Sequence, residues 1–287
     1  MLDIIVPKKV LYFLDLIRFN QPIGFTLLMW PCWFALATIS QNQIELIIWY
    51  VYFLIGAFLM RSAGCIINDL VDINLDKKIQ RTAERPLTSK KISVFEASLL
   101  LFVLLFLSLL ILLQFKISTI LIGLVSIPLV VIYPFMKRYT YWPQLVLGLV
   151  FSWGVLMVSI EFYNEIRLDL LFLYFACVVW TLAYDTIYAY QDREDDIKNN
   201  IKSTAVLFDM NGHKFVLIFY LIFFLIIGFL GYKSSGSFLS LAVIIAFIFV
   251  MIFHLKKWRL DSRSSSNYYF KFNNFIGLFS FLFLVIF

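Results

Sequence analysis

Charge is what this chain has least of. Asp, Glu, Lys and Arg make up 15% of its 287 residues, whereas 62% are hydrophobic. A soluble globular chain is about 45–50% apolar, so a water-facing globule is excluded. The net charge of +6 does not describe a nucleic-acid surface, because the basic residues sit in short loops between apolar runs. That placement implies an anionic membrane face or a phosphate ligand. Cysteine is also scarce. Cys32, Cys65 and Cys177 lie in or beside apolar runs without CxxC spacing, which leaves buried packing as their role. His213 and His254 stand alone near run ends and suggest no metal site. The first apolar run begins near Ile23, is as long as a membrane span, and lacks a small-residue cleavage site. It reads as a span rather than a removable leader.

Apolar runs are abundant. Crossing a bilayer takes about 20 such residues, and nine runs qualify, near 22–40, 46–67, 94–114, 117–135, 142–160, 168–189, 213–232, 237–255 and 271–287. The expected fold is an all-α membrane protein. Nine transmembrane helices surround a central cavity, and residues 1–287 form a single polytopic domain. Ahead of the first run, Leu11, Leu14 and Ile17 share one helical face, which predicts an interfacial helix over about 8–19. Assigning the loops to alternate sides puts all but four of the 24 Lys and Arg residues on the side of the N-terminus. The exceptions are Lys116, Arg167 and Lys233 opposite, and Arg61 inside a span. That bias makes the N-terminus cytoplasmic. No obligate protein partner is indicated. Two long polar loops, 68–93 and 190–212, lie four spans apart on the same side and hint at an internal duplication. The Ser-rich stretch 262–266 reads as a plain loop.

The chemistry concentrates where those two loops leave the membrane. Asn68, Asp72 and Asp76 are spaced i, i+4, i+8, with Asp69 beside them, so the three share one face of a helix. Asp192 and Asp196 repeat the i, i+4 spacing, and Asp185 lies two turns earlier on nearly the same face. One DxxxD alone is commonly a solvated acidic face. Two at equivalent span ends suggest acidic walls across one cavity, holding Mg²⁺ ions that bridge a diphosphate. Arginine suits phosphate contact. Arg81 and Arg85 stand four apart ahead of Pro86, which ends a local helix. Lys137 and Arg138 follow the fourth run, Lys202 follows the second acidic cluster, and Arg61 lies two turns before Asp69 and is expected to face the cavity. Tyr184, Tyr188 and Tyr190 flank the second cluster, and Trp30 and Trp33 lie in the first run. Such rings can stabilise a developing carbocation, although interfacial packing explains most single aromatics.

These residues resemble the UbiA-type intramembrane prenyltransferases. Arg61-Ser-Ala-Gly64 through Asn68-Asp69-x-x-Asp72-x-x-x-Asp76, followed by Arg81-Thr82 and Arg85-Pro86-Leu87, looks like the first signature. Asp185-Thr-x-Tyr188-Ala-x-x-Asp192-x-x-Asp195-Asp196, then Ile-Lys202-Ser-Thr, looks like the second. Tyr133-Pro134 through Lys137-Arg138 and Arg18 through Trp30-Pro31 resemble further blocks. The likeness is greatest to the members that prenylate 4-hydroxybenzoate in ubiquinone synthesis. It implies nine helices, a bacterial inner-membrane location, an active site toward the cytoplasm, and Mg²⁺ with diphosphate at the two Asp motifs. Two departures stand out. Ile73 occupies a position where Arg is frequent, and Asp209 one where Gly is usual, so the turn after the second motif is expected to differ.

The implied reaction moves a polyprenyl group from its diphosphate to the ring carbon ortho to the hydroxyl of 4-hydroxybenzoate. Asn68, Asp72, Asp76, Asp192 and Asp196 hold Mg²⁺, while Arg81, Arg85 and Lys202 hold phosphate oxygens. Arg138 takes the acceptor's carboxylate, and Asp195 influences the acceptor or a proton. Naphthoate, homogentisate and haem stand as alternative acceptors. A transporter is the alternative from another class, but its charges belong near the midplane of both halves rather than at one face. A purely structural subunit leaves the paired acidic walls unexplained.

Overall fold

The computed structural model describes residues 7–39, 44–79 and 81–287. Ser40, ending the first apolar run, and Gln80, in the loop after the second, lie outside the described residues. The helices are α1 (Lys8–Leu16), α2 (Ile23–Ala37), α3 (Ile47–Asp76), α4 (Val94–Leu112), α5 (Ile117–Val125), α6 (Ile127–Tyr139), α7 (Pro143–Phe151), α8 (Trp153–Tyr163), α9 (Leu168–Ala189), α10 (Arg193–Lys198), α11 (Thr204–Phe208), α12 (Gly212–Ser235), α13 (Phe238–Leu255) and α14 (Arg263–Ile286). There is no strand among the described residues. Helices satisfy every backbone polar group within one segment, the condition for an apolar chain in lipid.

Among the described residues, eight helical stretches are long and apolar enough to cross a membrane, counting α5 with α6, α7 with α8 and α11 with α12 as one stretch each. The first apolar run forms α2, whose 15 residues fall short of the usual crossing length. Within the stretch Ile117–Tyr139 the helix breaks at Ser126, just before Pro128, which lacks the N–H a continuous helix needs there. The Ser-rich stretch is not a loop. Ser262 caps α14 by accepting from the Ser265 N–H at 3.2 Å, and Ser266 is buried, accepting from the Trp258 indole at 3.0 Å. A serine at the N-cap satisfies donors that a helix start leaves open.

α9 is the centre of the bundle: 72% of its apolar window is buried, against 11% for α4, which leaves α4 on the lipid side. Trp180 on α9 stacks on Phe223 of α12 with centroids 5.2 Å apart. Asn273 on α14 is wholly buried. Its Oδ1 accepts from the Trp180 indole at 2.9 Å and the Tyr220 hydroxyl at 2.8 Å. One amide thus ties three helices together. Gly148 lets α7 approach α9 closely, since a Cβ there would lie 2.9 Å from the Val178 carbonyl oxygen. This packing leaves a cavity of about 1140 Å³ beside the carboxylate-bearing ends of α3 and α9.

Candidate active site

α3 runs unbroken to Asp76, so its acidic residues keep their helical spacing. Asp69, Asp72 and Asp76 are all buried. Arg18 forks Asp69, its Nη2 donating to Oδ1 at 2.8 Å and Oδ2 at 2.7 Å. The Arg85 Nη1 donates to Asp69 at 2.9 Å and to Asp76 at 2.8 Å. Lys137 donates to Asp72 Oδ2. Arg138 stands 3.6 Å from Asp72 Oδ1, and that oxygen is buried without a hydrogen-bond donor.

The second wall is less regular than its i, i+4 spacing suggests. α9 ends at Ala189, and Asp192 is the N-cap of the separate helix α10. Asp185 and Asp192 therefore do not share one continuous helical face. The chain turns between them, and the Tyr190 hydroxyl anchors that turn by donating to the Asp209 carbonyl at 2.6 Å. Arg81 closes the space between the walls. Its Nε and Nη2 fork Asp192 at 2.9 and 2.6 Å, and its guanidinium lies 5.1 Å from the Tyr188 ring centre. Burial works against the charge on Arg81, but Tyr188, the hydrogen-bonded Asp192 and Asp76 outweigh it and hold the guanidinium protonated. Asp196, buried and close to the charge of Asp192, has its pKa pushed up to about 7. The described residues between Asp76 and Val94 form successive turns rather than the local helix expected around Arg81 and Arg85.

Twelve of the site residues expected from sequence line the one cavity: Arg61, Asn68, Asp69, Asp76, Arg81, Arg85, Lys137, Asp185, Tyr188, Asp192, Asp196 and Lys202. Three stand off its wall. Asp72 lies behind Lys137. Arg138 is turned away, donating to the Val71 carbonyl at 3.3 Å. Asp195 accepts from Arg263 of α14 at 3.0 Å. Lys202 donates to the Tyr139 carbonyl at 3.0 Å, which ties the second loop to the end of α6. Arg61 is half-buried in the cavity wall. Its guanidinium is 5.7 Å from the Phe151 ring centre, Asp185, Tyr133 and Tyr188 are its electrostatic neighbours, and its Nε has no hydrogen-bond partner.

Sequence reasoning missed two contributions. Arg18 counted only toward orientation and the first-span resemblance, yet it completes the Asp69 cluster. Asn267, Phe270 and Lys271 of α14 line the cavity, and Phe270 packs on Tyr188 at 4.7 Å. A lysine at the head of an apolar run was the available signal for Lys271. Away from the charged end the cavity becomes apolar, passing Leu105, Leu109, Leu112, Val130 and Val131 to Phe115 and Met157. It is therefore a polar head joined to an oily trough.

Residues 28–278 match the UbiA prenyltransferase family. The chain belongs to that family. It is 42% identical over 282 residues to the 4-hydroxybenzoate octaprenyltransferase of Blochmanniella pennsylvanica, covering 96% of this chain and 95% of the relative. It is 37% identical over 276 residues to the enzyme of that name from Haemophilus ducreyi, covering 92% and 98%. The solved structure of a UbiA homolog from Archaeoglobus fulgidus, bound to GPP and Mg²⁺, shares the fold with a TM-score of 0.68. It is 18% identical to this chain, covering 96% of this chain and 100% of that one. Among the described residues, no three His, Cys, Asp or Glu side chains form a ready-made metal cage. A UbiA site does not need one for Mg²⁺, which ordinarily takes one or two carboxylates and completes its shell with water and substrate phosphate. Hard carboxylate oxygens on two walls, with Asp72 Oδ1 lacking a hydrogen-bond donor, fit that ion.

Proposed function

We propose that this chain is an Mg²⁺-dependent prenyltransferase that transfers a polyprenyl group from its diphosphate to the ring carbon ortho to the hydroxyl of 4-hydroxybenzoate, in ubiquinone synthesis. The observation that carries the reading is the cavity itself. Two carboxylate walls and a set of Arg and Lys side chains surround its polar head, and an apolar trough leads away from it. Diphosphate suits the head and a prenyl tail suits the trough. The names of the relatives supply the acceptor.

Asp72, Asp76, Asp192 and Asp196, with Asn68, are the residues that would hold Mg²⁺. When bound, the ion neutralises charge on the departing diphosphate. Arg81, Arg85 and Lys137 donate to phosphate oxygens, and Lys202 braces the α6 end beside them. As the allylic C–O bond breaks, negative charge grows on the leaving oxygen, and these donors stabilise it there. Arg61 binds the carboxylate of the acceptor, the role first expected of Arg138. It lines the cavity with a buried Nε that has no hydrogen-bond partner, whereas Arg138 is turned outward. Asp185 balances the buried charge of Arg61. The ring carbon attacks the allylic cation, and loss of the ring proton restores aromaticity. The Tyr133, Tyr188 and Phe151 rings keep water from that cation.

All nine apolar runs cross the membrane in this reading, α2 by way of its flanking turns. The N-terminus and the polar head face the cytoplasm, the side that collects the basic loops, and the membrane is the bacterial inner membrane. The test is to incubate purified protein with Mg²⁺, labelled polyprenyl diphosphates of several lengths, and a panel of aromatic acceptors. Prenylated 4-hydroxybenzoate is the expected major product. Preferential labelling of a naphthoate or homogentisate would reassign the acceptor.

A further inference from the structure

A second pocket, of about 300 Å³, opens on another face of the α3 end and shares no lining residue with the reaction cavity. Ile73 and Lys77 line it, each one residue on from a carboxylate of the acidic wall. Leu87, Ile92 and Val94 continue its oily wall, and Lys90 and Thr88 join Lys77 as its polar groups. Lys77 and Lys90 are exposed. Thr88 is only 6% exposed, yet its Oγ1 has no hydrogen-bond partner. A buried hydroxyl left unpaired is unfavourable, so a ligand that accepts from it completes the site. The first N–H groups of a helix have no acceptor within the helix. At the start of α4, Ser93 takes the Glu96 N–H at 3.2 Å, which leaves that of Val94 open. Among the described residues no Asp or Glu lines the pocket. The Glu96 carboxylate, one turn into α4, is held by Lys9 and the Ser93 N–H. Two ammonium groups, a hydroxyl and a helix start are donors suited to a phosphate group.

The surroundings say where that phosphate comes from. α4 is long and apolar enough to cross a membrane, and only 11% of its apolar window is buried. Val94, Phe95 and Leu99 at its start are exposed, so acyl chains have a place beside the pocket. A free phosphate has no use for the oily wall. We propose that this pocket binds the phosphodiester head of an anionic membrane phospholipid. Lys77 and Lys90 hold the phosphate, Thr88 donates to it, and the acyl chains lie along α4. The bound lipid touches no reacting atom. It braces the last turns of α3, which carry Asp72 and Asp76, and the turns that carry Arg81 and Arg85.

The experiment uses the full chain, delipidated in detergent, with phosphatidylglycerol or phosphatidylcholine of the same acyl chains. Native mass spectrometry reads the first lipid retained, and thermal unfolding reads its effect. Phosphatidylglycerol should be retained at about tenfold lower concentration than phosphatidylcholine or better. Lys77→Gln with Lys90→Gln should erase that preference. Lys256→Gln with Lys257→Gln, which removes the same charge from the loop after α13, should keep it. Thr88→Val matches the shape of threonine, so without lipid its midpoint should equal or exceed that of the unaltered chain. The rise in midpoint that phosphatidylglycerol produces should shrink in Thr88→Val and return in Thr88→Ser. Excess inorganic phosphate should leave the lipid in place. Equal retention of the two lipids, or an equal loss in the Lys256 and Lys257 variant, would reduce the effect to general membrane electrostatics and overturn the proposal. Displacement by inorganic phosphate would make this a free-anion pocket and overturn it too, as would a full lipid response in Thr88→Val.

Discussion

Gly24 and Arg61 face one another in the cavity so closely that a Cβ on Gly24 would lie 2.8 Å from the Arg61 Nε. If Arg61 holds the acceptor carboxylate, its loss acts on the acceptor and not on the donor. Arg61→Met should raise KM for 4-hydroxybenzoate by about 10–100-fold, the worth of a hydrogen bond to a charged group. Gly24→Ala should do the same more weakly by pushing the guanidinium aside. Neither should affect an acceptor without a carboxylate, and equal losses on both acceptors would remove Arg61 from this role. Asp196 gives a pH prediction. Its carboxyl binds metal only when ionised, and burial with Asp192 nearby lifts its pKa to about 7. It is mostly ionised at pH 8 and mostly protonated at pH 6, so the Mg²⁺ concentration for half-maximal rate should rise on acidification through that window. A flat Mg²⁺ requirement from pH 8 to 6 would count against Asp196 as a ligand. The carboxylates were legible as residues because their spacing is written in the chain. Arg61's special position was only half legible, because sequence shows a charge within a span but not which neighbours leave its Nε unpaired.

The turn after the second acidic wall, where α11 ends, holds a backbone conformation unusual for its residue. Asp209 has φ 47° and ψ −123°, a region that glycine enters freely and other residues enter at a cost of roughly 1–3 kcal/mol. Its side chain pairs with Arg193 and its carbonyl takes the Tyr190 hydroxyl, so the surroundings hold it there. Glycine, the residue usual here in the resembled family, needs no such support. Asp209→Gly should raise the thermal midpoint relative to Asp209→Ala, since both lose the Arg193 pair and only one relieves the backbone. Equal midpoints would show that the turn carries no strain. Asn273 makes the opposite prediction: Asn273→Leu leaves the Trp180 and Tyr220 donors unpaired and should destabilise the bundle by about 1–2 kcal/mol, read as a lower midpoint of thermal unfolding. Helix existence was legible from apolar runs, because lipid leaves an oily chain few other choices. The break between α9 and α10 and the helical start of α14 were not, since tertiary bonds from Tyr190, Ser262 and Trp258 decide them.

Across the whole molecule, a family of long helices leaves one amphipathic cavity, with charge gathered at one end and oil along the rest. The apolar runs anticipated an all-helical membrane architecture, although among the described residues eight stretches rather than nine are long enough to cross and the first run forms the shorter α2. The shape of the trough came only from packing, because it is formed by side chains from helices distant in sequence. The central claim is that carboxylates from both walls serve one reaction. The direct measurement compares prenyl transfer to 4-hydroxybenzoate by the unaltered chain, Asp76→Ala and Asp192→Ala, each purified, with Mg²⁺ and labelled polyprenyl diphosphate, and with helical content checked by circular dichroism. The account predicts that both variants keep their helices and lose transfer by at least about 100-fold. Full activity in either folded variant would contradict it.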